Sequence, residues 1–494
     1  MRDWLAVRAH ATPRATAIRA AGCVETELSY AEIDDRVETT AGRLAAMGVC
    51  VDDAVAVCTK TRLEFVEVAH AVQRLGAVLV PVNVRLTTTE METRLSRIDP
   101  SVVLCESDTL ATVRAATDQP VLLVDESVGG TDVGSLSEVT PEPFDLPEWE
   151  LSDPLVVLFT SGTTGEPKGV ILTLGNVLAS ATASAFRLGL RADDCWHVPL
   201  PMYHMGGLAP VYRSVLYGTA LSLQREFDPE ATLEALEAAD ATAVSLVPTM
   251  LDQLLEAGTL PELRFVLLGG ARCPPELLAR ARRRDVPVAP TYGMTEAASQ
   301  IATARPEEAR SNPDSVGNPL MFAELSVVDE AGVPCEPGQP GELVVSGPMI
   351  TPGYLNEATT SERFTNGGLW TGDRGYRDES GRVYVQGRVD DTILTGGENV
   401  DPTEVEAVLG SHPEITEAAV VGLHDEKWGE RVGALAVANS EAVSGAEGLR
   451  EFCRERLAGY KIPRTIGFTE ALPRTASGTV DREAVIEQLS GTND

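Results

Sequence analysis

Lysine is nearly missing from this chain of 494 residues: only Lys60, Lys168, Lys427 and Lys461 occur. Arginine supplies the other basic groups, and 74 acidic against 40 basic residues leave a formal net charge of −34. With so few cations there is no basic stripe to displace phosphate counterions, which argues against a nucleic-acid partner. A uniform acidic excess suits concentrated salt, where the Debye length shrinks to about 3 Å near 1 M and self-repulsion is screened. A halophilic surface is therefore expected. Cys23, Cys50, Cys58, Cys105, Cys195, Cys273, Cys335 and Cys453 include no CxxC pair. Neither a zinc site nor a disulfide framework is indicated, and free buried thiols in a reducing cytoplasm are expected. Long apolar runs are absent as well, none approaching the roughly 18 residues of a membrane span. The Arg-containing segment from Met1 to Ala21 is helical in period but has no apolar core of signal-peptide length. The expectation is a cytoplasmic protein without a membrane span.

What the chain does have is length, too much for one ordinary core, and 43% hydrophobic residues with which to fill several. Over the first 124 residues or so, helical spacing (Tyr30 to Met47, Glu64 to Leu75) alternates with short apolar strands (Ala54 to Cys58, Ala77 to Val82, Val102 to Cys105). Such alternation implies an α/β fold of mainly parallel sheets covered by helices. Asp125 to Asp153 shifts to Gly, Ser, Pro and Glu and reads as an exposed connection. Beyond it, Pro229 to Ala239 has helical spacing, while Ala243 to Val247, Phe265 to Leu268 and Val286 to Ala289 read as strands. Clusters rich in Gly, Thr or His punctuate this part: Pro201-Met-Tyr-His-Met-Gly-Gly207, Gly269-Gly270 and Thr291-Tyr-Gly-Met-Thr-Glu296. The C-terminal ends of strands are where open α/β sheets bind ligands. From about Ser315, short strands with turn signals suggest a β-rich lobe. Asp401, Pro402 and Glu404 then mark a helix start. The last hundred residues have the size of a small α+β domain. The boundary is placed near Asp390, giving a large N-terminal domain over residues 1–389 and a small mobile one over 390–494.

The most informative stretch is Leu158 to Val170. After the apolar run Leu155 to Phe159, it gathers Thr160, Ser161, Gly162, Thr163, Thr164, Gly165, Lys168 and Gly169. Backbone N–H groups and hydroxyls of such a loop can converge on one anion. Pro167 sits directly before Lys168, so the lysine does not open a helix as it does in the GxxxxGK[ST] phosphate loop. This is a phosphate loop of another design.

With that loop, Thr291 to Glu296, Thr371-Gly-Asp373, Gly387-Arg388 and Pro473-Arg-Thr-Ala-Ser-Gly478 in order along nearly the whole length, the chain resembles the adenylate-forming superfamily of acyl-CoA synthetases, adenylation domains and luciferases. Within it, Pro201 to Gly207, Arg213 and Thr291 to Ile301 are most similar to the 2-succinylbenzoate:CoA ligases of menaquinone biosynthesis. The resemblance implies an acid–thiol ligase that uses ATP, Mg²⁺ and coenzyme A on a small-molecule carboxylate, with the oligomeric state left open, a homodimer included. It implies that Thr160 to Gly165 and Lys168 hold the phosphates, Glu296 binds the metal and Thr295 meets the α-phosphate. Tyr292 would stack on adenine beside Gly270 and Ala271, with Thr291 and Gly293 in the same nucleotide site. Asp373 and Arg388 would hold the ribose. His204 would form a wall between acyl pocket and pantetheine tunnel. Gly269, Ser299 and Gln300 would contact the acid, and Asp390 would be a hinge that brings Gly396, Gly397 and Glu398 to the coenzyme A tunnel.

Arg213 carries the substrate expectation. In the mostly apolar run Leu208 to Leu216 a guanidinium needs a partner, and an acid with a second carboxylate can supply a bidentate one. One position departs from the family: its lysine after Pro-Arg-Thr-Ala-Ser-Gly is Thr479 here. Lys461, Arg474 and Arg482 are the basic groups near enough in sequence to compensate.

Overall fold

The computed structural model describes residues 3–125, 133–160, 167–365, 367–389, 391, 393–395, 398–425, 428–439, 445–475 and 479–491, with residues 398 and 399 in backbone only. The chain divides into two compact units, one of Met1–Leu325 with Val345–Leu369, the other of Ser326–Val344 with Trp370–Asp494.

Two sheets run through the first unit. One orders its strands Gly353–Tyr354, Lys168–Thr173, Pro154–Thr160, Val78–Pro81, Ala54–Cys58, Val102–Cys105 and Val121–Leu123. The pairings from Pro154–Thr160 onward are parallel, as the helix and strand alternation implies. The strands are buried along nearly their whole length, so they read as continuous apolar runs. Their cover includes the helix Tyr30–Ala46, which presents Ile33, Val37, Ala41 and Leu44 to the core at helical spacing. Its start is fixed by a reciprocal cap between Ser29 and Glu32. The second sheet orders Asn318–Pro319, Ser299–Thr303, Val288–Met294, Phe265–Leu268, Ala243–Leu246, Cys195–Val198, Ala220–Leu223, Thr16–Gly22 and Leu28–Ser29.

Three expectations are corrected here. The segment from Met1 to Ala21 is not one helix: Trp4–Ala11 is helical, but Thr16–Gly22 is a strand parallel to Ala220–Leu223, because Ala17, Ile18 and Ala21 are buried on that sheet. The connection before the phosphate-loop candidate is not simply exposed. Leu136 and Trp149 are buried, and the Trp149 indole donates to the Gln73 carbonyl at 3.0 Å. The thiols are free, but Cys23 and Cys50 are exposed rather than buried.

Phe322 holds φ 77° while 44% exposed. A bulky side chain in the left-handed region costs about 1–2 kcal/mol, which the partial burial of the ring offsets in part. Phe322→Gly relieves that strain but gives up the ring's partial burial and adds glycine's chain entropy, so its stability, read from the unfolding midpoint in denaturant, should stay within about 1 kcal/mol of wild type.

The remaining sheets have five strands each. One orders Glu324–Val328, Gly341–Ser346, Gly368–Arg377 and Phe364–Thr365, with Val383–Arg388 also on Gly368–Arg377. The other orders Glu398–Val400, Ile393–Thr395, Gly429–Ala438 and Ile415–Asp425, with Thr465–Thr469 also on Gly429–Ala438. Helix Pro402–Gly410 starts where the sequence places it: the Asp401 carboxylate accepts from Thr403 N at 2.8 Å. Among the described residues no helix is long and apolar enough to cross a membrane.

Candidate active site

The Thr/Ser/Gly loop joins two antiparallel strands, Pro154–Thr160 and Lys168–Thr173, so that Thr160 lies opposite Lys168. Leu155 to Leu158 are buried, as expected of the strand that delivers the loop. Lys168 opens a strand and not a helix, in keeping with Pro167. Ser161, Gly162, Thr163, Thr164 and Gly165 lie outside the described residues. The loop's exit is fastened by Arg97, whose Nη1 donates to the Pro167 carbonyl at 2.6 Å.

The same strand supports Glu296. Gly353–Tyr354 pairs with Lys168–Thr173, Tyr354 opposite Val170, and the Tyr354 hydroxyl donates to Glu296 Oε1 at 2.9 Å. Thr351 N donates to the Glu296 carbonyl at 2.7 Å, and Thr351 Oγ1 donates to Gly353 O at 2.7 Å. Glu296, in the short 3₁₀ turn Thr295–Ala297, is thereby a buried carboxylate held at both backbone and side chain.

Thr291, Tyr292 and Gly293 form the end of strand Val288–Met294, which runs further than the sequence suggests and pairs antiparallel with Ser299–Thr303. Thr291 Oγ1 lies 2.8 Å from Thr303 Oγ1, and Gln300 Nε2 donates to that hydroxyl at 2.9 Å. The turn between the strands is strained, with Ala298 at φ 49° and Ser299 at φ 117°. Gly293 makes it fit: a Cβ there would sit 1.7 Å from the Ser299 carbonyl oxygen. Gly269, at the end of the neighbouring strand, packs so closely that its Cβ would lie 2.6 Å from Thr291 Cγ2. Gly270, at φ 79°, and Ala271 are exposed beside it, while Tyr292 is buried.

Arg213 lies on helix Met205–Tyr217 and is only 4% exposed. Its Nη2 donates to Ser180 Oγ at 3.3 Å, and among the described residues no carboxylate lies within ion-pair distance. Burial pushes its pKa down. His204 precedes the same helix, its ring 4.9 Å from that of Tyr203 and its Nε2 buried without a hydrogen-bond partner among the described residues. Burial first, and then the charge of Arg85, push its pKa down from 6.5 to about 4. His197 behaves alike: burial lowers it to about 4 against a hydrogen bond to Gln224. Ser222 and Gln224 satisfy both His197 ring nitrogens, at 3.0 and 2.9 Å.

His204 is therefore neutral near pH 7 and should add no limb near pH 6–7 to the kcat/KM profile. The sign for stability follows from the folded pKa lying below the unfolded one. The unfolded chain takes up the proton first, so the His197 contribution is whole above pH 6.5 and is lost as pH falls towards 4. That loss is roughly 3 kcal/mol. His197→Asn should flatten the unfolding midpoint against pH across this window.

Asp373 belongs to the second unit. It sits within strand Gly368–Arg377, opposite Arg388, and Arg388 Nη1 reaches Asp373 Oδ1 at 3.0 Å. The same nitrogen donates to the Thr371 carbonyl, and Asp373 N donates to Thr371 Oγ1, each at 3.0 Å. Asp390, Gly396 and Gly397 lie outside the described residues, as does the side chain of Glu398; the backbone makes Thr395 and Glu398 a facing pair of antiparallel strands. Thr479 Oγ1 is 2.7 Å from Thr475 Oγ1. Lys461 is paired with Glu404, Arg474 with Glu417, and Arg482 with Asp391 and Glu406.

A family model described as AMP-binding enzyme matches residues 5–355, and one described as AMP-binding enzyme C-terminal domain matches residues 404–479. The chain belongs to the AMP-binding enzyme family. This AMP-binding enzyme is 41% identical over 485 residues to a 2-succinylbenzoate–CoA ligase of Bacillus cereus, covering 97% of this chain and 96% of that protein. The structure of o-succinylbenzoate coenzyme A synthetase (MenE) from Bacillus subtilis in complex with ATP and magnesium ion matches with TM-score 0.90 and 35% identity over 99% of both chains. ATP-bound MatB from Rhodopseudomonas palustris matches with TM-score 0.90 and 28% identity, again over 99% of each.

Sequence reasoning missed Ser180, Thr351 and Tyr354. Tyr354 reaches Glu296 from 58 positions away, and no local pattern announces that. Ser180 left a trace: with Ser184 it puts two hydroxyls one helical turn apart on the buried face of helix Leu174–Leu188.

Proposed function

We propose that this AMP-binding enzyme is an ATP-dependent acid–CoA ligase acting on 2-succinylbenzoate. One carboxylate of the acid attacks the α-phosphorus of ATP and pyrophosphate leaves. The thiol of coenzyme A then attacks the acyl carbon and AMP leaves. Since the nucleophiles belong to the substrates, the protein's work is positioning and charge neutralisation. Thr160, the loop through Gly165 and Lys168 take the phosphates, and Thr295 the α-phosphate. Tyr292, Gly270, Ala271, Thr291 and Gly293 take the adenine side, and Asp373 with Arg388 the ribose. Glu296 fits Mg²⁺: a single hard carboxylate is what this ion uses when phosphates and waters complete its shell. Bound there, the ion would neutralise phosphate charge. Residues 390–494 act as a lid turning at Asp390, with Gly396, Gly397 and Glu398 on the coenzyme A side and His204 as the wall. The acidic composition suits a cytoplasm of high salt.

The observation that carries the choice of acid is Arg213, a buried guanidinium whose contact among the described residues is a hydroxyl and not a carboxylate. A dicarboxylic acid supplies the missing anion. The names of the relatives support the same acid. A second reading, a nucleotide-binding protein disabled for adenylation, is favoured only by Thr479, whose hydroxyl lies against Thr475. Pyrophosphate release and CoA-thioester formation, measured in concentrated salt with 2-succinylbenzoate, benzoate and medium-chain fatty acids, test both. Turnover is expected with the dicarboxylate foremost. No release by wild type, with recovery in Thr479→Lys, would establish the second reading instead.

A further inference from the structure

We propose that Ser180 is a positioning residue for acid selectivity, its hydroxyl holding the Arg213 guanidinium in place while itself being fastened to the strained turn at Ala298. The inference rests on the reading that Arg213 receives a second carboxylate. Ser180 is 1% exposed on helix Leu174–Leu188, and Arg213 comes from helix Met205–Tyr217, so the contact bridges two helices. A serine hydroxyl has one proton to give and two lone pairs. Here the proton goes to the Ala298 carbonyl at 2.8 Å. Arginine only donates, so the 3.3 Å contact with Arg213 Nη2 must use a Ser180 lone pair. Both directions are therefore fixed.

The anchor is firm. Ala298 and Ser299 hold φ values of 49° and 117°, Ala298 N is bonded to Thr295 O at 3.0 Å, and the Ser299 carbonyl is seated against Gly293. A hydroxyl fastened to that turn has little freedom, and neither has the guanidinium nitrogen that leans on it. Neutral serine also leaves the whole positive charge of Arg213 for an incoming anion, whereas an aspartate at the same place would cancel it. The site thus keeps a cation oriented without neutralising it.

Steady-state pyrophosphate release by the full chain tests this, with Ser180→Ala, Ser180→Thr and Arg213→Leu assayed on 2-succinylbenzoate and on monocarboxylate analogues lacking one or the other carboxylate. Ser180→Ala should raise KM for the dicarboxylate about tenfold, the usual scale for one lost hydrogen bond to a charged group. The KM for ATP, kcat and the analogue lacking the Arg213-facing carboxylate should change less than about twofold. Ser180→Thr, which restores the hydroxyl, should recover most of the loss. Equal losses on all acids, or no loss on the dicarboxylate while Arg213→Leu abolishes the preference between acids, would overturn the role of Ser180 alone. If Arg213→Leu leaves that preference unchanged, the dicarboxylate reading fails first.

Discussion

Gly293→Ala should cost more than 10²-fold in adenylation rate and destabilise the protein by about 3 kcal/mol or more. The added Cβ would lie 1.7 Å from the Ser299 carbonyl oxygen, 2.7 Å from its carbon and 3.0 Å from Gln300 Cα. All three are backbone atoms, so no rotamer change relieves the clash, and overpacking of this kind is among the few mechanisms with effects so large. Relief requires opening the bulged pairing of Val288–Met294 with Ser299–Thr303. That pairing fixes the turn bearing Glu296, so nucleotide turnover should fail with the fold of the turn. Gly270→Ala is the control: its φ of 79° brings backbone strain, but its nearest neighbour is a side-chain methyl, Val247 Cγ1, at 3.3 Å. It should lose about 1 kcal/mol. Pyrophosphate release and denaturant unfolding of both variants give the comparison, and equal effects would refute it.

Arg213→Leu should lower kcat/KM for 2-succinylbenzoate by about 10²- to 10³-fold, the range for truncating one partner of a buried charge pair. The same change should raise the unfolding temperature by a few degrees. Among the described residues the guanidinium is buried against the Ser180 hydroxyl with no carboxylate beside it, an arrangement whose desolvation cost is not repaid until an anion arrives. Leucine, though shorter than arginine, carries no charge and removes that cost. A purely structural arginine would behave oppositely, its loss destabilising the fold and reducing turnover of every acid alike. Opposite movement of stability and activity is therefore the diagnostic result, and functional groups held at the expense of stability commonly show it.

Much of the first unit was legible because its strands are fully buried apolar runs between helices of clear period. Ala54–Cys58, Val102–Cys105 and Phe265–Leu268 emerge where hydrophobicity puts them. Thr16–Gly22 was not legible, since an Arg/Ala-rich stretch takes its strand identity from the neighbour Ala220–Leu223 and not from its own pattern. The buried strand that precedes the phosphate-loop candidate was readable, since Leu155 to Leu158 form an apolar run. That Lys168 returns opposite Thr160 is a matter of long pairing, and no local signal announces it. The burial of Arg213 followed from its apolar surroundings. Its contact with Ser180 did not, because 33 residues and a second helix separate them. The pairing of Asp373 with Arg388 is likewise set by strand register across 15 positions.

The Gly353–Tyr354 pair has a further consequence for how copies of this chain keep apart. Lys168–Thr173 would otherwise end its sheet with a bare row of amides, the margin to which a neighbouring molecule can add a strand. Gly353 and Tyr354 cover part of that margin, pairing with Ile171 and Val170, and the covering stretch is too short to serve as a template itself. The tyrosine that steadies a carboxylate thereby also shortens the stretch of strand left open to such pairing. Changes that dislodge it should cost solubility as well as turnover.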